Sequence, residues 1–184
     1  IIESEGFVVN ANKTKILTPE ERQVVTGIVV NDGINVNRKF VRNLRATIYN
    51  CEEFGIESQL VKNVRDDRSS RPNENASPYH PSINYFLRRL LGKINFYGGV
   101  VLSNNQDERN DKNPKLFKRV ETYENILYKF YEYLKSLEIQ KVDFDVKIKK
   151  SVLKLISKRP RLHKKLSILD RVESKRLEGL NKFR

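Results

Sequence analysis

Methionine is absent from all 184 residues, and the chain opens on Ile1-Ile2 in mid-pattern rather than on an initiator. The expectation is a piece of a longer protein. Cysteine is nearly absent as well. Cys51 stands alone, so no internal disulfide can form. Its place on the apolar side of an expected helix makes it a small core residue rather than a nucleophile. A single free thiol fits a reducing, cytoplasmic compartment. No apolar run approaches the roughly 20 residues that a spanning helix needs, and no stretch reads as a signal peptide. The two histidines, His80 and His163, have no Cys or acidic partners at ligand spacing, which leaves no zinc motif. Gly98-Gly99 fits neither a P-loop nor a dinucleotide fingerprint.

Positive charge, by contrast, is abundant. Lys and Arg total 36 against 23 Asp and Glu, a net charge of +13. A cation of this size points to a polyanionic partner, nucleic acid before membrane.

Along the chain, the first 36 residues read as small antiparallel β structure. Residues 1–5 look like a helix end closed by Gly6. Residues 7–10 read as a short strand, 11–14 as a turn, 15–17 as extended chain and 18–22 as a second turn. Residues 23–30 form a β-branched strand that Thr26-Gly27 interrupts, and Asp32-Gly33 is a hairpin signal. Glycine inside a strand marks a bulge or a close approach by another backbone or a ligand. A β piece this small needs something to pack on.

After Asn37 the period becomes helical. Phe40, Val41, Leu44, Ile48 and Cys51 share a face up to a stop at Gly55. The polar, Pro-rich residues 64–81 read as a loop. Ser82 is a candidate cap for a helix with core face Ile83, Phe86, Leu87, Leu90 and Ile94. Residues 103–113 read as a second polar loop. Asn113-Pro114 starts the clearest helix. Its apolar positions Leu116, Val120, Tyr123, Leu127, Phe130, Leu134 and Leu137 step by 4 and 3 in alternation, an a/d seam expected to pack into a bundle. From about 146 the chain is helical and very basic, with a break at Pro160. The fold class is therefore α+β and mostly α-helical. The divisions are 1–36 (β), 37–140 (helical) and 141–184 (basic helical extension).

Little catalytic chemistry is on view. Asp66-Asp67 could hold a divalent metal, but among Arg65, Arg68 and Arg71 it reads as a solvated, ion-paired turn. Asp143 and Asp145 read as a helix-start cap or exposed surface. The basic residues are better organised. Arg38, Arg42, Arg45 and Tyr49 step by 4, 3 and 4, which places them on one face, away from Val41, Leu44, Ile48 and Cys51. A cationic stripe with an aromatic is how a helix tracks a phosphate backbone. Arg89 and Lys93 form a further i, i+4 pair.

The order "EGFVVNANKTKIL" (5–17), "RQVVTGIVVN" (22–31), a basic helix, then "FLRRLLGKINFYGGVV" (86–101) resembles the C-terminal half of bacterial reverse transcriptases of the retron type. The resemblance implies the end of a polymerase palm over 1–36, with a primer-grip turn at Gln23, Thr26 and Gly27, followed by a helical-bundle thumb. It implies that Gly27 lets the chain approach the sugar-phosphate of the priming end. It implies a contact of Lys13 with the triphosphate or the leaving pyrophosphate. It further implies an RNA template, a DNA or RNA primer and a cognate noncoding RNA as partners, with a place in antiviral defence. The family's catalytic aspartates precede the first segment and are not on this chain. The Mg²⁺ ions of an RNA-directed DNA polymerase would then be bound by residues outside it, and this chain alone would not polymerise. The alternative is a non-catalytic module that grips a structured RNA with the same basic helices.

Overall fold

The computed structural model describes residues 4–6, 8–10, 12, 14–31, 33–70, 82–103 and 114–168. A three-stranded antiparallel sheet leads into a helical bundle. Its strands are β1 (Val24–Val25), β2 (Ile28–Val29) and β3 (Asn35–Val36), in spatial order β1-β2-β3. The helices are α1 (Arg38–Ser70), α2 (Ile83–Ser103), α3 (Pro114–Ile139) and α4 (Val146–Ser157), and a further helical segment, α5, covers 160–168.

The segment 23–30 is not one strand broken by glycine. Val24 pairs with Val29 and Val25 with Ile28, so Thr26-Gly27 is the two-residue turn of a hairpin. Both turn residues have positive φ, 49° and 85°, the pattern of a type I′ turn. That is why glycine stands there: the second turn position needs a left-handed backbone, which only glycine adopts without cost. A second connection joins Val29 to Asn35, with Gly33 at φ 74°, as the Asp32-Gly33 signal requires.

The expected strand at 7–10 is corrected over its described residues, 8–10, and the chain at 15–17 pairs with no strand. Among the described residues there, no ladder forms, and Val8 and Ile16 are each 95% exposed. β-branched residues favour a strand only where a neighbouring strand or a packed face receives them. The turn at 18–22 forms, and the chain closes back at Thr14. Thr14 N–H donates to the Asn10 carbonyl at 3.0 Å, and Thr18 N–H donates to Glu21 Oε2 at 2.9 Å.

Gly55 interrupts α1 at φ 77°, ψ 160°, but the helix resumes beyond it and reaches Ser70. The expected loop over 64–81 is thus helical in its first seven positions, Asp66-Asp67 included, and its remainder lies outside the described residues. Polar composition misled here. Lys, Arg and Val in "VKNVR" carry a helix well enough once it is running.

The bundle core is continuous. Ile48 on α1, Leu87, Ile94 and Val101 on α2, Leu127, Phe130 and Leu134 on α3, and Val152 on α4 are all essentially inaccessible to solvent. Each expected a/d position of α3 is buried except Val120, which is half-buried against the same core. Ser82 caps α2, its Oγ accepting from Tyr85 N–H at 3.2 Å. Asp145 caps α4, accepting from Lys147 N–H at 2.9 Å. Leu162 and Leu166 of α5 join the same core. No helix among the described residues is long and apolar enough to cross a membrane.

Candidate nucleic-acid interface

α1 and α3 lie side by side and leave an open groove of about 950 Å³ between them. Its α1 wall carries Arg38, Arg42, Arg45 and Tyr49, the four residues that spacing alone had put on one face. The burial of Leu44, Ile48 and Cys51 in the core forces them outward. Lys129 on α3 and Lys165 on α5 face them, which brings five cations to one groove with no carboxylate among the described residues that line it.

The other lining groups suit a nucleotide. Asn35, Thr122 and Asn125 offer hydrogen-bonding side chains. Tyr49 is 51% exposed, so its ring is open to a stacking partner. Lys165 lies over the Tyr128 ring at 4.2 Å, and Arg161 lies over the Phe117 ring at 4.5 Å. These two cation–π contacts hold α5 against α3 and fix Lys165 at the groove. Beneath them, burial raises the Tyr97 phenol above its ordinary value, opposed by the nearby Arg119 and Arg45 charges. The floor of the groove is therefore neutral and the walls are positive.

The remaining sequence candidates lie elsewhere. The hairpin residues Gln23, Thr26 and Gly27 do not line the groove. The Gln23 side-chain amide donates to the Thr18 carbonyl at 3.2 Å, and the Thr26 hydroxyl donates to the Val25 carbonyl at 2.8 Å. One amide proton of Gln23 and the hydroxyl proton of Thr26 are thus engaged in local structure. At Gly27 the space a Cβ would fill is empty to 4 Å. Arg89 and Lys93 sit half-buried on α2, also away from the groove. Lys13 lies outside the described residues.

Sequence reasoning missed Lys129 and Lys165. Lys129 had a readable signal: with Thr122 and Asn125 it steps by 3 and 4 beside the a/d seam. Lys165 had none, since only the turn at Pro160 brings it back onto α3.

Cys51 is buried, and burial pushes its thiol up to about 12, with the Tyr133 hydroxyl pulling the other way. It is a core residue, not a nucleophile. Among the described residues, no three His, Cys, Asp or Glu side chains come together to hold a metal ion. No protein-family model, curated protein or solved structure matches the chain.

Proposed function

We propose that this chain is the nucleic-acid-gripping part of an RNA-directed DNA polymerase of the retron type, with the sheet as the end of the palm and α1–α3 as the thumb. The observation that carries the binding function is the groove in which Arg38, Arg42, Arg45, Lys129 and Lys165 converge beside an open tyrosine. Phosphate contacts of this kind hold a strand in register without reading its sequence. The polymerase assignment rests on the resemblance of residues 5–17, 22–31 and 86–101, and on a hairpin with a left-handed Thr26-Gly27 turn where a primer grip would be.

In this reading residues outside the chain would hold the Mg²⁺ ions, which would assist attack of a primer 3′-hydroxyl on the α-phosphorus of the incoming nucleotide with release of pyrophosphate. The chain itself holds the template and primer or the cognate noncoding RNA. Five neutralised phosphates give a slope of log K against log salt of about −4.5 on a duplex and about −3.5 on a single strand. Salt-independent binding overturns the grip. The polymerase assignment is tested on the coding sequence upstream of Ile1. A Tyr-x-Asp-Asp hairpin there supports it, and primer extension by the protein that carries both parts completes the test. An upstream sequence without such a hairpin leaves a non-catalytic RNA binder.

A further inference from the structure

The seam between α1 and α3 opens a second time beyond the cationic groove, with the opposite sign. This second part, about 590 Å³, is lined on α1 by Cys51, Glu52, Gly55, Ile56 and Glu57, and on α3 and the turn after it by residues between 132 and 142. The first part uses residues 38–49 of α1 and 122–129 of α3. Low numbers meet low and high meet high, so the two helices run in the same direction along one seam. Among the described residues, the ionised groups lining the second part are Glu52, Glu57 and Glu132, with no Lys or Arg.

The change is abrupt. Arg45 and Glu52 are seven positions apart, about 10 Å along a helix. Lys129 and Glu132 are less than one turn apart. This is about one screening length at physiological salt, so a phosphate placed beside Glu52 meets net repulsion where one beside Arg42 meets attraction. Tyr49 stands at the boundary with half its surface open. A base paired within a duplex has no free face to offer a groove tyrosine, whereas an unpaired base does.

We propose that the α1/α3 seam holds an unpaired stretch of nucleic acid and that its track ends at Tyr49, where Glu52, Glu57 and Glu132 refuse the next phosphate. The inference rests on the nucleic-acid reading above and adds the form of the ligand and its limit. Tyr49 caps the last held base. The carboxylates set the length of strand that gains from the groove, which is a specificity for strand length rather than for sequence.

The test is binding of the chain to fluorescent oligothymidylates of increasing length and to a blunt duplex. Wild-type affinity rises with length and then levels off, and the blunt duplex binds more weakly than the plateau strand. Glu52→Lys and Glu132→Lys move the plateau to longer strands and steepen the salt slope by about 0.7 for each phosphate gained. Tyr49→Ala lowers plateau affinity by about fivefold or more. Glu57→Lys, at an exposed position, carries the same test if the half-buried Glu132→Lys does not fold. An unchanged plateau and slope in folded charge-reversal variants overturns the boundary. Equal affinity for blunt duplex and single strand overturns the unpaired ligand. Failure of the wild type to bind any strand overturns the nucleic-acid reading itself, and is seen before any variant is made.

Discussion

The ring of Tyr123 on α3 rests against the bare Cα of Gly98 on α2. A Cβ at position 98 would come within 2.6 Å of both Cε2 and Cζ of that ring. The rings of Tyr97 and Tyr123 also meet edge to face, with centroids 6.0 Å apart. Gly98 thus lets α2 and α3 come close at this ring, a packing reason with no phosphate involved, whereas nothing lies within 4 Å of a Cβ at Gly99. Gly98→Ala costs about 1–3 kcal/mol by overpacking. Chemical denaturation of Gly98→Ala, Tyr123→Leu and the double variant measures it. The double variant is more stable than the sum of the singles predicts, and strict additivity contradicts the contact.

The hairpin turn makes a second, local prediction. Thr26 is β-branched and sits at φ 49°, a region such residues occupy at a cost. Thr26→Asn relieves it and slows hydrogen exchange of the amides over 24–29. Gly27→Ala forces alanine into φ 85° and speeds that exchange, by about 1 kcal/mol in opening free energy. Since nothing lies within 4 Å of a Cβ at 27, the effect is backbone strain without a clash. Unaltered exchange in Gly27→Ala contradicts the turn geometry. Lost primer extension with unaltered exchange, in a protein that also carries the catalytic half, assigns Gly27 to the primer end instead.

Arg88 and Asp145 tie α2 to the start of α4. The guanidinium donates to Asp145 Oδ2 at 2.6 Å, and Asn84 Oδ1 accepts from Asp145 N–H, also at 2.6 Å. The Arg88 hydrogen bond, followed by that from Lys147 N–H, holds the Asp145 carboxyl below its ordinary value. The unfolded chain therefore takes up this proton at a higher pH than the folded one. The stabilisation is complete above the ordinary carboxylate range, near pH ~4 for a free Asp. It declines as pH falls through that range and is gone below the folded-state value. The melting-temperature gap between wild type and Asp145→Asn stays constant from neutral pH to about 5 and narrows below it. A gap of the same size at pH 3 contradicts the pairing.

Cys51 resists modification in the native chain. With its thiol raised to about 12 by burial, almost no thiolate exists at pH 8. An aromatic disulfide reagent labels Cys51 only at the rate of unfolding, and denaturant accelerates it steeply. Rapid labelling under native conditions contradicts the packed position against Tyr133.

The helices were legible where burial is periodic. The alternating steps from Leu116 to Leu137 name the buried face of α3, and Ser82 and Asp145 show their capping chemistry in the sequence. The stripe Arg38, Arg42, Arg45, Tyr49 was legible for the same reason, since positions opposite a buried face must face out. The β segment was not. "QVVTGIVV" reads alike as one bulged strand or as a hairpin with a two-residue turn, because β-branched residues suit both and only pairing decides. Val8 and Ile16 looked like strand residues, but no strand among the described residues receives them. The groove's far wall required tertiary structure, because Lys165 reaches Tyr128 only after the chain turns at Pro160.

The central claim is that five cations around one groove hold nucleic acid. The direct measurement is the salt dependence of single-strand binding by the wild type, by Arg38→Ala, Arg42→Ala and Arg45→Ala singly, and by the triple variant. Each substitution is expected to flatten the slope by about 0.7, so the triple variant falls from about −3.5 to about −1.4, with little change in preference among sequences. A triple variant that folds normally and binds with the wild-type affinity and slope contradicts the claim, and makes the stripe a solvated helix face.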